Sequence, residues 1–379
     1  MNAVIERAGA ADVAELRQLY YAVYGPHYPV ARYTDPAQMA AFAASPDTLW
    51  LTARCGRTGA LVGSAAIQGE PGSRLGRLEG LAVHPEHRAS GLAGTLTEEL
   101  CERTLGEGRL DSVYATVRTV STGPQRVVSR HGFRPMGIMP NTVECGGREN
   151  LALYARYSAG VLQRRIPVPE VPAPLRPLLR TVERTLGLDY GTTRYTAPAP
   201  APAPPAGSAA LEVIEAPGFV RRRFTDRFPD SARWFYPLHT PNTLLLSEDG
   251  RIEVYACVSR AGSYGALVAG HPEPAEAAGW LEPVTRTLFR AGVGYLEALL
   301  PLARHDLLSA FLAQGYIPSA LYPAMRPDGE GFQDYVVMSR TAEQIDFRAL
   351  VVEEPLRPYL DAYASAWAST YLPSLEVVS

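Results

Sequence analysis

The chain has 379 residues, of which 46% are hydrophobic and 20% charged, with a formal net charge of −3 and a pI near 6.2. That length suits two domains with separate cores, and the mild acidity excludes the basic footprint of a nucleic-acid-binding surface. All 36 basic residues are arginine, which excludes the lysine-dependent phosphate loop, the kinase strand lysine and pyridoxal Schiff-base chemistry.

The amino terminus, MNAVIERAGAADVAEL, carries charges where a signal peptide needs an apolar stretch, and no apolar run is as long as a membrane span. A cytoplasmic protein with neither membrane nor nucleic acid as partner is expected. Val4-Ile5 reads as a short strand, and Asp12 with Glu15 as a helix start. Val13, Leu16, Tyr20 and Val23 form the apolar stripe of that helix. Asp35-Pro36 pairs a cap with proline at the first helical position and opens a helix to Ala44. Residues 48–53 and 61–67 read as a hairpin, 78–83 as a further strand ended by Pro85, and 91–105 as a helix. A strand over 112–117, a helix near 124–130 and strands over 133–139 and 151–157 complete this half.

Residues 166–206 hold most of a proline-rich connection with one helix near Leu175–Leu186, and the run APAPAPAPPAG at 197–207 reads as an extended spacer. Beyond it the order of elements returns. Gly132-Phe-Arg-Pro-Met-Gly-Ile-Met-Pro140 matches Gly315-Tyr-Ile-Pro-Ser-Ala-Leu-Tyr-Pro323 in the second half. A hairpin turning at Glu248-Asp249-Gly250 follows Thr243, then a strand at 265–269, a helix at 275–291, a strand at 295–300 and a helix at 306–314. The expected organisation is a domain at 1–157, a linker with one helix at 158–210, a second domain at 211–341, and a partly helical tail at 342–379, the two domains being a duplication.

The four cysteines, Cys55, Cys101, Cys145 and Cys257, show no C-x-x-C spacing, and His84 and His87 have no third ligand nearby, so buried thiols and no metal are expected. The chemistry concentrates in HRASGLAGTL, residues 87–96. A strand, then Arg88-x-x-Gly91-x-Ala93, then a helix, builds an anion site from backbone. The first helical turn has N–H groups without internal partners, and the helix dipole is positive there. Gly91 and Ala93 leave room for phosphate oxygens, and Arg88 adds a fixed charge.

The stretch LAVHPEHRASGLAGTL resembles motif A of the GCN5-related N-acetyltransferases (GNAT), whose pattern is Arg/Gln-x-x-Gly-x-Gly/Ala. Arg88, Gly91 and Ala93 fill its three specified positions, and Gly132-Phe133 matches the family's ending of the fourth helix. The resemblance covers nearly all of residues 1–157 and, through the duplication, the second half. It implies a mixed α/β fold, two modules with splayed mixed sheets. It also implies acetyl-CoA as cosubstrate, with its pyrophosphate on Arg88, Ala89, Ser90, Gly91, Leu92 and Ala93. The pantetheine would pair with Leu81, Ala82 and Val83, Ser121 would stand where the family has a loop asparagine, and no metal would be needed. An amine would attack the thioester directly. A carboxylate must take its proton, and Glu79 is the candidate, the alternative being a rim carboxylate paired with Arg77 or solvent. The tyrosine that often protonates the thiolate falls at Val128, so Tyr114, Ser121, Thr122 or water must serve.

In the second half His271-Pro-Glu-Pro-Ala-Glu276 replaces the motif; two prolines remove donors and two glutamates repel phosphate. That module is expected to be degenerate and without coenzyme A, with Trp234, Phe235 and Tyr236 as core or pocket aromatics. The expected activity is acetyl transfer to a small-molecule amine, with a homodimer left open. The alternatives are a non-catalytic acyl-CoA sensor or scaffold, and another acyl reaction such as carrier-protein transfer or decarboxylation.

Overall fold

A computed structural model describes the chain except residues 1, 27, 29, 71–72, 145–147, 201–210, 231–233, 235–238, 277, 348–349 and 373–379. Two compact units are present. One comprises Met1–Val117, Ser121–Pro135 and Leu153–Gln163; the other comprises Arg118–Val120, Met136–Ala152 and Arg164–Ser379.

The first unit runs β1 (Ala3–Arg7), α1 (Val13–Tyr24), α2 (Pro36–Ala44), β2 (Thr48–Cys55), β3 (Leu61–Gly69), β4 (Leu75–Val83), α3 (Leu92–Cys101), β5 (Ser112–Arg118) and α4 (Thr122–Arg130). Strands β1 to β4 form an antiparallel meander in sequence order, and β4 pairs β5 in parallel. The α2 start is capped as its sequence requires: the Asp35 carboxylate accepts from the Gln38 backbone N–H at 2.9 Å, with Pro36 in the first turn. Asp12 does not cap α1. Its carboxylate instead accepts from the Gly9 N–H at 2.8 Å, closing a 3-10 turn at Ala10–Asp12, and pairs with Arg54. The expected helix to residue 105 is α3 followed by a π-helical turn at Glu102–Gly106. Leu16, Leu19, Tyr20, Met39, Phe42 and Trp50 form one buried cluster that packs α1 and α2 on the sheet.

Strands β6 (Arg134–Glu144) and β7 (Arg148–Tyr157) carry residues of both units. The second unit continues with β8 (Glu170–Pro172), α5 (Arg176–Leu186), β9 (Arg194–Thr196), β10 (Leu211–Ile214), α6 (Pro217–Arg227), β11 (Thr243–Ser247), β12 (Glu253–Ser259) and β13 (Tyr264–His271). It then runs α7 (Leu281–Arg290), β14 (Tyr295–Pro301), α8 (His305–Ala313), β15 (Ile317–Asp328), β16 (Gly331–Thr341) and α9 (Arg357–Tyr371). Its sheet order is β6-β15-β16-β14-β13-β12-β11-β10. The starts of β5, α4 and β6 recur at one constant offset as the starts of β14, α8 and β15: Ser112 answers to Tyr295, Thr122 to His305 and Arg134 to Ile317.

The segment expected to be a linker is folded up to residue 196. Strands β8 and β9 pair in parallel, and α5 buries Leu178, Leu179 and Val182. Asp334 on β16 is 1% exposed. It accepts from Arg165 through both carboxylate oxygens, from the Tyr190 hydroxyl at 2.6 Å and from the Ala324 N–H at 2.8 Å. The reason is the amphipathic content of 164–196, which a count of prolines does not register. Of the spacer at 197–207, Ala199 donates its N–H to Ser309 Oγ at 2.9 Å, and 201–207 lie outside the described residues. Helix α7 begins at Leu281 rather than 275, after turns that follow Pro272 and Pro274. Trp234 packs with Phe224 and Phe228 in a buried cluster; Phe235, Tyr236 and Cys145 lie outside the described residues. Of the tail, α9 buries Leu360 and places Tyr359 and Tyr363 in the core.

Candidate active site

The centre of the first unit is a bulge in β4. The β3–β4 ladder pairs Gly63 with Val83 and Ser64 with Ala82, then slips and resumes at Ala66 with Glu79. Gly80, inside the slip, has φ +63, and a Cβ there would lie 2.6 Å from Tyr33 Cζ and 2.7 Å from the Tyr20 hydroxyl. Only glycine meets both demands. Tyr20 and Tyr24, one turn apart on α1, donate to the successive bulge carbonyls Gly80 O at 2.6 Å and Leu81 O at 2.8 Å.

On the other edge β4 pairs β5 only at Leu75–Ser112, Gly76–Val113 and Arg77–Tyr114. The strands then part, leaving Leu81, Ala82 and Val83 without a β5 partner in that register. Beyond β4 the chain makes a 3-10 turn at Pro85–His87, and Arg88 is extended and exposed. Ala89 has φ 61 and Gly91 φ 81. Gly91 is the left-handed N-cap of α3 with no side-chain cap, and a Cβ on it would meet nothing within 4 Å. The first bond of the helix is Thr95 N–H to Gly91 O at 3.1 Å. The N–H groups of Leu92 and Ala93 therefore precede the first helical bond, the arrangement that suits a polyanion. Ser90 Oγ donates to His87 O at 2.7 Å rather than into that space. Leu92 is buried and holds the helix on β3, where Gly63 leaves the room it needs.

Glu79 pairs with Arg32, not with Arg77. Arg32 Nη1 donates to Glu79 Oε1 at 2.8 Å and to Gln68 Oε1 at 2.5 Å, with the Glu79 side chain 10% exposed. Tyr114 stands opposite Arg77 and donates to Glu70 Oε1 at 3.0 Å. It sits three β4 positions before the bulge, about 10 Å along the strand. Burial lifts the Glu70 carboxyl above the ordinary carboxylate range, partly offset by the Tyr114 bond. Ser121 is the exposed N-cap of α4, and Val128 is buried in that helix. Arg32, Gln68, Glu70 and Tyr24 were not singled out by sequence, and Tyr20 was read only as part of an apolar stripe; the spacing of Tyr20, Tyr24 and Tyr28 by fours was the available signal. Among the described residues no group of three His, Cys, Asp or Glu side chains is placed to hold a metal, and no helix is long and apolar enough to cross a membrane.

In the second unit β13 and β14 also pair in parallel over three positions, Tyr264–Tyr295, Gly265–Leu296 and Ala266–Glu297. After β13, Glu273 forms an ion pair at 2.9 Å with Arg304, just before α8. Arg304 precedes α8 as Ser121 precedes α4, so the two occupy equivalent positions of the repeat.

Residues 12–133 match the model of the acetyltransferase (GNAT) family, and the chain carries a domain of that family there. Among solved structures the chain is similar to the ribosomal-protein-S18-alanine N-acetyltransferase from Escherichia coli, at 18% identity and TM-score 0.36, over 41% of this chain and 94% of that one. It is also similar to an acetyltransferase of the GNAT family from Streptococcus pneumoniae, at 20% identity and TM-score 0.37, over 42% and 100%. A third is a phosphinothricin acetyltransferase from Sinorhizobium meliloti in complex with AcCoA, at 21% identity and TM-score 0.36, over 42% and 89%. No curated protein matches the chain at the accepted level of significance.

Proposed function

We propose that this chain is an acetyl-CoA-dependent N-acetyltransferase that acts on a small amine by direct attack. The observation that carries the reading is the pairing of two features in one unit. An uncapped α3 N-terminus opens at Gly91, and the β4 edge at Leu81–Val83 is released from β5. The first suits a pyrophosphate, and the second suits an extended amide chain that pairs like a strand. The family match over residues 12–133 supports the same cosubstrate.

In this reading Arg88, Ala89, Ser90, Gly91, Leu92 and Ala93 hold the phosphates, and Leu81, Ala82 and Val83 the pantetheine. The acceptor lies against the bulge. Glu79, directly or through water, takes a proton from the ammonium. The amine nitrogen then bonds to the acyl carbon, the carbon–sulfur bond breaks, and water carries the second proton of the nitrogen to the departing thiolate. Val128 is 3% exposed and carries no proton to give, an observation that also favours the second reading, an acyl-CoA-binding protein without turnover. The constant offset between matching elements supports a duplicated module in the second half. There the Glu273–Arg304 pair follows β13 where the first unit has its Arg88–Ala93 turn, and in this reading one acetyl-CoA binds per chain.

Calorimetry should give one site with micromolar affinity, on the order of 8 kcal/mol. Gly91→Glu should lose it by filling the open space with a like charge. With an amine library, thiol release should be seen, and Glu79→Gln should slow it by about a hundredfold while binding persists. Two sites, or unchanged affinity in Gly91→Glu, would refute the cofactor reading; tight binding with no thiol release from any amine would establish the sensor.

A further inference from the structure

Two polar atoms beside the bulge have no hydrogen-bond partner among the described residues: Arg77 Nε and the Tyr33 hydroxyl. Both belong to side chains that crowd Glu79. Arg77 and Glu79 sit two apart on regular β4, so they share a face. Tyr33 is 1% exposed, packs over Gly80, and its phenol is held well above its ordinary range by burial and then by Glu79. Arg77 is half-buried, with Tyr114, Glu79, Tyr33 and Glu70 around it. Desolvation works against its charge, and those neighbours outweigh it. A guanidinium in that position keeps its charge yet leaves a donor unused, and leaving a buried donor unmet is unfavourable. Two such atoms beside the candidate catalytic carboxylate are what a bound ligand would satisfy.

Resting on the acetyltransferase reading, we infer that the amine acceptor carries a carboxylate, in the manner of an α-amino acid, and that Arg77 with Tyr33 receives that carboxylate while Glu79 faces the amine. Arg77 Nε can only donate and the Tyr33 hydroxyl can do so as well, so a single acceptor group serves both. The planar fork of arginine fits a carboxylate. Glu70 and Glu79 flank the position, which disfavours a more highly charged phosphate. Arg77 and Glu79 leave the same face of β4 from Cα atoms about 7 Å apart, so the two ends of the ligand meet charges of opposite sign, and a plain monoamine leaves one end unmet. Arg77 is thereby a specificity residue. It anchors the acceptor and takes no part in bond making.

The test compares the twenty L-amino acids with their carboxamides as acceptors for acetyl-CoA, following thiol release. The best free acid should exceed its own amide in kcat/KM by about fiftyfold, the range of a charged hydrogen bond. In Arg77→Gln that ratio should fall toward one, mainly through KM for the acid, with acetyl-CoA binding by calorimetry showing that the variant is folded. Tyr33→Phe should raise KM for the acid several-fold. The wild-type comparison decides the matter even if Arg77→Gln does not fold. Acids and amides used equally, amides preferred, or no amino acid accepted while acetyl-CoA binds and other amines turn over would each overturn the inference. Failure of the wild type to bind acetyl-CoA would overturn the underlying reading and this inference with it.

Discussion

Cys55, at the end of β2, shows how a turn sets the chemistry of one atom. The Thr58 hydroxyl and the backbone N–H groups of Arg57 and Thr58 point at its sulfur and lower its pKa to about 7. Burial pushes Cys101 up to about 12 and Cys257 up to about 11. Hydrogen bonds to the thiolate favour the charged form, so Cys55 is largely deprotonated above pH 7 while the other two remain thiols. Alkylation by iodoacetamide, followed by mass spectrometry, should modify Cys55 first among these three, with a rate that climbs through about pH 7 and levels above it. Thr58→Val should move that midpoint upward. Equal rates for the three thiols at pH 8 would contradict it. Glu79 illustrates the opposite relation between residue and sequence. Its location before the motif was readable, but its partner Arg32 comes from 47 residues earlier, and no local pattern announces that pair.

At the scale of elements, the site depends on two glycines that serve different ends. Gly91 needs its positive φ alone, because the space around it is open. Gly80 needs both the φ and the space, because Tyr20 and Tyr33 close over it. Gly91→Ala should therefore cost about 1 kcal/mol of backbone strain. Gly80→Ala should cost about 2–4 kcal/mol, since overpacking adds to the strain and the Tyr20 bond to the bulge is disturbed. Urea denaturation of the two variants against wild type measures the difference, and equal losses would mean that the tyrosines yield. The strand-to-helix turn at Arg88–Ala93 was legible because Gly91 takes a positive φ there, which its residue type announces. The bulge was not legible. A slip in register depends on the opposite strand and on α1, neither of which is adjacent to Gly80 in sequence.

At the scale of the molecule, one buried carboxylate gathers several of the contacts that hold residues 164–196 in the second unit. Asp334 answers the Arg165 guanidinium, the Tyr190 hydroxyl and a backbone N–H in an environment that water does not reach. Removing it strands a buried cation. Asp334→Ala should lower the stability of the full chain by about 3–5 kcal/mol, and Tyr190→Phe by about 1 kcal/mol, because a single neutral donor is lost. Guanidinium chloride denaturation checks both, and a loss below about 1 kcal/mol for Asp334→Ala would show that the segment is not held by this contact.

The order of strands and helices from β1 to α4, the hairpins at Thr48 and Thr243 and the small residues of the turn at Arg88–Ala93 were legible in the sequence. Each rests on local periodicity, turn chemistry or backbone space. Tertiary structure decided which charges meet. It joined Arg32 to Glu79, placed Tyr114 on Glu70, left Arg77 and Tyr33 with unused donors, and folded a proline-rich stretch around Asp334. Those outcomes turn on pairings between residues far apart in the chain. They are selected by burial and desolvation in the packed chain, and short-range pattern carries no record of them.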